Sequence, residues 1–394
     1  MLRFLKLILT LFALSALIAC SGDREKGDET RADSNDLSQV PTLTLEQEFQ
    51  ISGYDESGFF GYLSTVVSGP DGIILTADPS TRKIHLFSPD GSYSGHIGGE
   101  GAGPGEFRNI ADVSMSASGT LYVTDLSLAR ISVFSGASGE WELTDILDIP
   151  FPAQDESSPM SGPFYMRHLF PTETGYIAEY ESSVMYDSDD DSITSCFQVL
   201  DDSLQFVTET EPLCSPKLEM VVARSRSGNT ISVTTHGVPE NHGQLATITQ
   251  GGELIRIHTS EAVVRIHQMD GTLINEFSIA AAKVPITPKM KQELAERAIP
   301  NPENSSIRRD ALADAIPDYK PFAVQILTDA EDRIWILSRT SEDELVWLVY
   351  NRDGELQSRA DYPGGDFTHI TTDRAYAVFN PGDDEPSFAV YRIF

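Results

Sequence analysis

From Leu63 onward the chain alternates short apolar runs with polar turns. LSTVV, IILTA and IHLF come first; after the glycine-rich stretch GGEGAGPGEF (Gly98–Phe107) come ADVSM, LYVTD and ISVF. Runs rich in Val, Ile, Leu and Phe, broken by Asp-Gly or Ser-Gly, predict strands of an antiparallel meander. The two stretches align without a gap. Gly72 meets Gly119, Asp78 meets Asp125, Lys83 meets Arg130, Ile84 meets Ile131 and Phe87 meets Phe134, a period of 47 residues.

The pattern returns in weaker form. Ala246–Ile279 puts Gly252 in the place of Gly72 and His258 in the place of Asp78. Ala323–Ala360 fits with a short insertion, and a unit opening at Met166 puts Glu181 at the Asp78 position. The last unit, up to Phe394, has only about three strands, and TLTLEQEFQI (Thr42–Ile51) is expected to supply the fourth. That join would close a ring and remove two sheet edges. Four strands in about 45 residues is the unit of a propeller blade. The expected fold is therefore all-β: a six-bladed β-propeller of four-stranded antiparallel blades over residues 42–394. Leu218–His236 is assigned to outer strands around the third and fourth blades, with a seventh blade as the alternative. One helical insertion interrupts the strands before the fifth blade, at about 286–317. Thr287-Pro288 is a capping residue followed by proline at the first helical position, Pro300 stops the helix, and SIRRDALADAI forms a second one. This insertion either caps the mouth of the ring or packs along one edge.

The glycine-rich stretch does not read as a phosphate loop. The Gly-x-Gly-x-x-Gly spacing fails, and strand rather than helix follows it. The glycines instead let the chain turn from the outer strand of one blade to the inner strand of the next. This second unit resembles an NHL repeat. The likeness runs through Gly101, Gly103, Gly105 and Phe107, then Asp112-Val113, Gly119, Leu121-Tyr122-Val123, Asp125, Arg130-Ile131 and Val133-Phe134. Ile110 stands where that family usually has proline. The whole chain resembles the bacterial six-bladed β-propeller lipoproteins, in which one or two clear NHL-like blades precede degenerate ones. The resemblance implies the fold and leaves the function open.

The first forty residues belong to another regime. Arg3 and Lys6 precede an apolar run from Leu7 to Ala19, which has the form of a secretory signal. Leu17-Ile18-Ala19-Cys20 resembles a lipobox, implying cleavage after residue 19 and lipidation of Cys20. Ser21 after the cysteine implies sorting to the outer membrane, on its periplasmic or cell-surface side. Residues 20–41 contain few apolar side chains and read as a flexible tether. Acyl chains, at about 0.8 kcal/mol per buried CH₂, can anchor a domain without a spanning helix.

Charge narrows the partners. The chain has 60 acidic and 28 basic residues, a net charge of −32. Nucleic acid and anionic headgroups would be repelled, so the membrane is met only through the lipid. With Cys20 lipidated, Cys196 and Cys214 remain, and two thiols beyond the inner membrane are expected to pair.

Candidate chemistry is sparse. Asp78 with Lys83, and Asp125 with Arg130, are expected to form ion pairs bracing the turn between second and third strands. The readable first strands offer Asp112, Gln325 and His369 to a central channel. Asp187, Asp189 and Asp191 alternate in a hairpin tip but lack the glycine and terminal glutamate of a calcium loop. His236, His242 and His258 lack a partner at zinc-site spacing. No cofactor is predicted, with calcium and zinc left open. Loops joining strands two to three and blade to blade fall on one face of a propeller, and the long segments here, Pro150–Gly162, Glu181–Thr194 and Ala280–Lys320, belong to those classes. The sequence thus points to a monomeric binding or scaffold protein for a protein, peptide or glycan. The alternative is a metal-dependent hydrolase or lyase of the lactonase, arylesterase or amidating-lyase kind.

Overall fold

The computed structural model describes residues 37–394, except 56–57, 138–139, 153–157, 161, 183–191, 208, 228–229 and 381–384. Its strands form six blade sheets and one short hairpin. Blade 1 runs through Thr65–Ser68, Ile74–Asp78, Lys83–Phe87 and Tyr93–Gly98, and blade 2 through Ile110–Met115, Thr120–Asp125, Arg130–Ala137 and Glu140–Asp148. Blade 3 comprises Phe164–Thr172, Gly175–Ser182, Ser192–Leu200 and Leu213–Ser227, with Thr230–Gly237 as a fifth strand. Blade 4 is Gln244–Ile248, Leu254–His258, Val263–His267 and Leu273–Ser278; blade 5 is Ala323–Thr328, Ile334–Arg339, Leu345–Tyr350 and Leu356–Asp361. Blade 6 takes Asp366–Ile370, Arg374–Phe379 and Ser387–Ile393 from the C-terminus, and Leu45–Ile51 as its outer strand. Among the described residues no seventh blade forms: the 218–236 region belongs to the paired strands Leu213–Ser227 and Thr230–Gly237 of blade 3.

Each pair of neighbouring blades shares its own apolar core, which is what makes the sheets a ring. Leu75, Ile84 and Ile97 of blade 1 meet Phe107, Val113 and Val123 of blade 2. Other clusters join blades 2 and 3, 3 and 4, 4 and 5, and 5 and 6. The last seam joins Tyr376, Phe388 and Val390 of blade 6 to Val66, Ile74 and Phe87 of blade 1. Glu48 on the N-terminal strand accepts from Arg374, 2.7 Å away, and Arg392, 2.5 Å away, so ion pairs lie over the pairing that closes the ring.

The glycine-rich stretch is a hinge. Gly98 has φ +87°, and a Cβ there would lie 2.4 Å from the Phe107 ring. Phe107 is fully buried and fills the seam between blades 1 and 2. Gly98→Ala is therefore expected to lower stability by about 1–3 kcal/mol through strain and overpacking, read as a fall in the urea midpoint with the slope unchanged.

Helices α1 (Pro288–Ala298) and α2 (Arg309–Ala315) form the insertion. The Thr287 hydroxyl accepts from the Met290 N–H, as an N-cap does. Ile286, Ala295, Ile299, Leu312 and Ile316 pack with Val238 and against Val221 and Ala223 of the blade 3 hairpin. The insertion and the hairpin thus build an annex with a core of its own.

Candidate functional site: the polar network between blades 2 and 3

Four first strands carry a β-bulge, in which two residues oppose one. The extra residues are Ala111, Arg167, Val324 and Thr368. Each bulge re-aims the next side chain along the ring. Asp112 therefore reaches blade 3, where its carboxylate accepts from the Leu169 N–H at 2.9 Å and contacts His168 Nδ1 at 2.9 Å. Gln325 donates to the Phe367 carbonyl (2.6 Å) and accepts from the Phe367 N–H (3.3 Å), linking blades 5 and 6. The Thr368 hydroxyl donates to the Val66 carbonyl, and His369 Nε2 lies 3.2 Å from Ser68 Oγ, linking blades 6 and 1. The three polar residues expected to face a channel are thus fastened to the neighbouring blade. Burial pushes His369 down to about 4, so it is neutral at pH 7. Its contribution to stability is present above the unfolded histidine pKa, about 6.5, and is lost as pH falls toward 4. His369→Asn is expected to flatten that part of the pH–stability curve, as measured by urea midpoints.

His168 opens a larger network that sequence reasoning missed. Its Nε2 lies 4.0 Å from Glu179, whose Oε1 accepts from Lys217 Nζ at 2.8 Å and from Ser195 Oγ at 2.6 Å. Lys217 also donates to Glu181 at 2.5 Å, and Glu181 accepts from the Tyr165 hydroxyl at 3.1 Å. Glu179 and Glu181 are 5% and 8% exposed, so the ammonium between them is what makes two buried carboxylates tolerable. Burial opposes charge on Lys217, but the two carboxylates outweigh it and raise its pKa. Burial likewise opposes protonation of His168, and Asp112 and Glu179 overcome it, so its pKa is raised. The His168 side chain is 43% exposed, a partly open imidazole backed by fixed carboxylates. Glu181 was legible as the Asp78 equivalent. Lys217 was not, because it is the extra residue of a bulge opposite Ile193 and Thr194.

The repeat aspartates require a correction. Asp78 accepts from the Gly61 and Ser80 amides, both at 3.0 Å. Asp125 accepts from Arg108 (2.7 Å), Asn109 (3.2 Å) and Leu128 (2.9 Å). Lys83 is not their ion-pair partner, and neither is Arg130, which donates instead to the carbonyls of Gly103 (2.6 Å) and Glu106 (2.8 Å). Both aspartates are fully buried where the incoming blade connection turns, so several amides reach them there. Aspartate and arginine together clamp that connection from its two polar ends.

Cys196 and Cys214 are bonded across adjacent strands, with the sulfurs 2.04 Å apart. His236, His242 and His258 bond separately: to the carbonyls of Gly237 and Ala298, to the Tyr319 carbonyl, and to the Ser260 hydroxyl. Among the described residues no three His, Cys, Asp or Glu converge as a metal site, so these side chains do not fit a calcium or zinc centre. Cys20 and the aspartates 187, 189 and 191 lie outside the described residues, as do the signal and most of the tether.

The face that carries the blade connections also exposes aromatic rings. Phe59 and Tyr62, in the connection from blade 6 to blade 1, are 57% and 51% exposed; Phe151, between blades 2 and 3, is 53% exposed.

Residues 55–203 match the model of a family described as a six-bladed β-propeller, DUF5128. No curated protein matches the chain. Among solved structures, a protein of Bacteroides fragilis described as exported aligns with TM-score 0.48 and 13% identity, over 92% of this chain and 98% of its own. A DUF4221 member from Bacteroides vulgatus gives 0.48 and 11%, over 90% and 99%. Virginiamycin B lyase from Staphylococcus aureus gives 0.41 and 8%, over 89% and 100%. The chain is a six-bladed propeller, and none of its described helices is long and apolar enough to cross a membrane.

Proposed function

We propose that this propeller is a lipid-anchored binding protein of the outer membrane, taking a protein, peptide or glycan chain on its elaborated face. The observation that carries the reading is the set of exposed rings Phe59, Tyr62 and Phe151 on two blade connections of one face. Exposed aromatics on rigid supports offer large contact area with little entropy to lose. The charged network from His168 to Glu181 adds polar, oriented groups on blades 2 and 3. Asp112 and Gln325, expected to face a channel, support this reading, because both hydrogen-bond within the ring.

Screening envelope glycans and peptides by calorimetry tests it. A triple Phe59, Tyr62, Phe151→Ala variant should lose at least tenfold in affinity, about 1.4 kcal/mol or more, without loss of fold. Unchanged affinity for a bound ligand would remove the aromatic face from the account. One observation favours an enzyme: His168, partly open and held by Asp112, has the form of an acid–base pair. The anchor is tested separately. Cys20→Ser should move the protein to the soluble fraction, whereas continued membrane partitioning contradicts lipidation.

A further inference from the structure

The disulfide of blade 3 sits where the polar network is anchored. Cys196 and Cys214 stand directly opposite each other on the third and fourth strands of the blade. Ser195 precedes Cys196, and its hydroxyl donates to Glu179 Oε1 at 2.6 Å. Lys217 follows closely after Cys214 on the fourth strand, and its ammonium donates to the same oxygen at 2.8 Å and to Glu181 at 2.5 Å. Lys217 is the extra residue of a bulge, so no residue across the ladder pairs with it. A bulge bends its strand and interrupts the ladder locally. The covalent bond just before it therefore fastens the two strands from which Ser195 and Lys217 both reach Glu179.

Glu179 in turn faces His168. Its Oε2 lies 4.0 Å from His168 Nε2, while Asp112 of blade 2 lies 2.9 Å from Nδ1. The charged groups around the ring are thus Asp112 from the first strand of blade 2, Glu179 from the second strand of blade 3, and Arg167 from the strand of His168 itself. The two carboxylates favour the imidazolium; Arg167 and burial oppose it. Lys217 acts one step further back, because its ammonium offsets the charge that Glu179 presents to the ring. Withdrawing that ammonium leaves Glu179 with its charge unshared, and His168 then holds a proton more tightly. Cys196 is fully buried and Cys214 only partly, so a reductant meets the pair at Cys214.

We propose that the Cys196–Cys214 bond is a redox switch on His168, operated by a dithiol and transmitted through Lys217 and Glu179. A thiolate of the dithiol attacks the Cys214 sulfur, and the Cys196 sulfur leaves as a thiolate and takes up a proton. The second thiol of the reductant then displaces Cys214, which is protonated in turn. Two electrons and two protons pass to the protein, and the reductant closes as a cyclic disulfide. The unfastened bulge lets Lys217 leave Glu179, and His168 keeps its proton to higher pH. Exchange with a disulfide reverses the step.

The test follows the His168 ring by NMR across pH in the full chain, oxidised and after reduction with dithiothreitol. Reduction should raise the midpoint of the His168 titration by about 0.5 pH unit or more, the worth of one screened charge at a few ångströms. Lys217→Met should raise it likewise, and reduction should add nothing further in that variant. If Lys217→Met does not fold, the variant that also carries Glu179→Gln and Glu181→Gln replaces it, and reduction must again leave His168 unmoved. A reduced wild type that melts lower but titrates unchanged at His168 overturns the proposal, because the bond is then a structural brace only. An equal rise in wild type and variant overturns it too, since the effect would bypass Lys217. So does a bond that the dithiol opens only when the protein unfolds.

Discussion

Lys217→Met should destabilise the protein by about 3 kcal/mol or more at pH 7, because it leaves two buried carboxylates without their cation. The lysine is nearly isosteric with methionine, so the loss is of charge and hydrogen bonds rather than volume. Glu179 and Glu181 have no comparably close replacement: His168 lies 4.0 Å from Glu179, and Arg167 lies 3.9 Å from Glu181 on an exposed side chain. The pH dependence should reverse along with the loss. In the wild type, burial would raise the Glu181 pKa, but Lys217, Arg167 and Tyr165 hold it below the ordinary value. Its stabilisation is therefore present above the unfolded carboxylate pKa and lost as pH falls through the lower folded value. Without Lys217, burial and mutual repulsion favour the protonated acids, so the variant should gain stability relative to wild type as the solution is acidified. Adding Glu179→Gln and Glu181→Gln should recover most of the loss at pH 7. Urea midpoints across pH read all of this. A Lys217→Met protein within about 0.5 kcal/mol of wild type at pH 7 would show the network to be incidental.

The second large effect concerns closure. A chain beginning after Ile51 lacks the outer strand of blade 6, and the Ser387–Ile393 strand becomes an unpaired edge. Phe388 and Val390, both fully buried in the intact protein, lie on that strand, and Glu48 no longer joins Arg374 and Arg392. An exposed apolar edge recruits other chains, and the lost pairing is comparable to the whole margin of stability, roughly 5–15 kcal/mol. The truncated protein should therefore aggregate or melt without cooperativity. A peptide spanning residues 42–52, added in trans, should restore a monomeric species on size exclusion. A truncated monomer with a cooperative, wild-type-like melt would contradict closure by this strand.

The ring was legible because its determinants are local and repeat. Asp-Gly turns, two-residue alternation and the 47-residue period are read directly, and the missing strand of the last unit called for one at the other end. The polar site was not legible for an equally physical reason. Its members meet through β-bulges, and one inserted residue changes which way a side chain points. Asp112 looked like a channel residue but bonds blade 3, and Lys217 gave no periodic signal at all. The Asp78 and Asp125 motif misled in a different way. Opposite charges five residues apart suggested mutual pairing, yet buried aspartates take backbone amides in preference to an ammonium near solvent. The disulfide partners were constrained by elimination among three cysteines.

The central claim is that the elaborated mouth binds rather than catalyses, and metal content with turnover tests it most directly. Purified protein should contain substoichiometric calcium and zinc and should turn over none of a panel of lactones and esters. One tightly held calcium or zinc per chain, with hydrolysis abolished by His168→Gln, would contradict it and establish an enzyme.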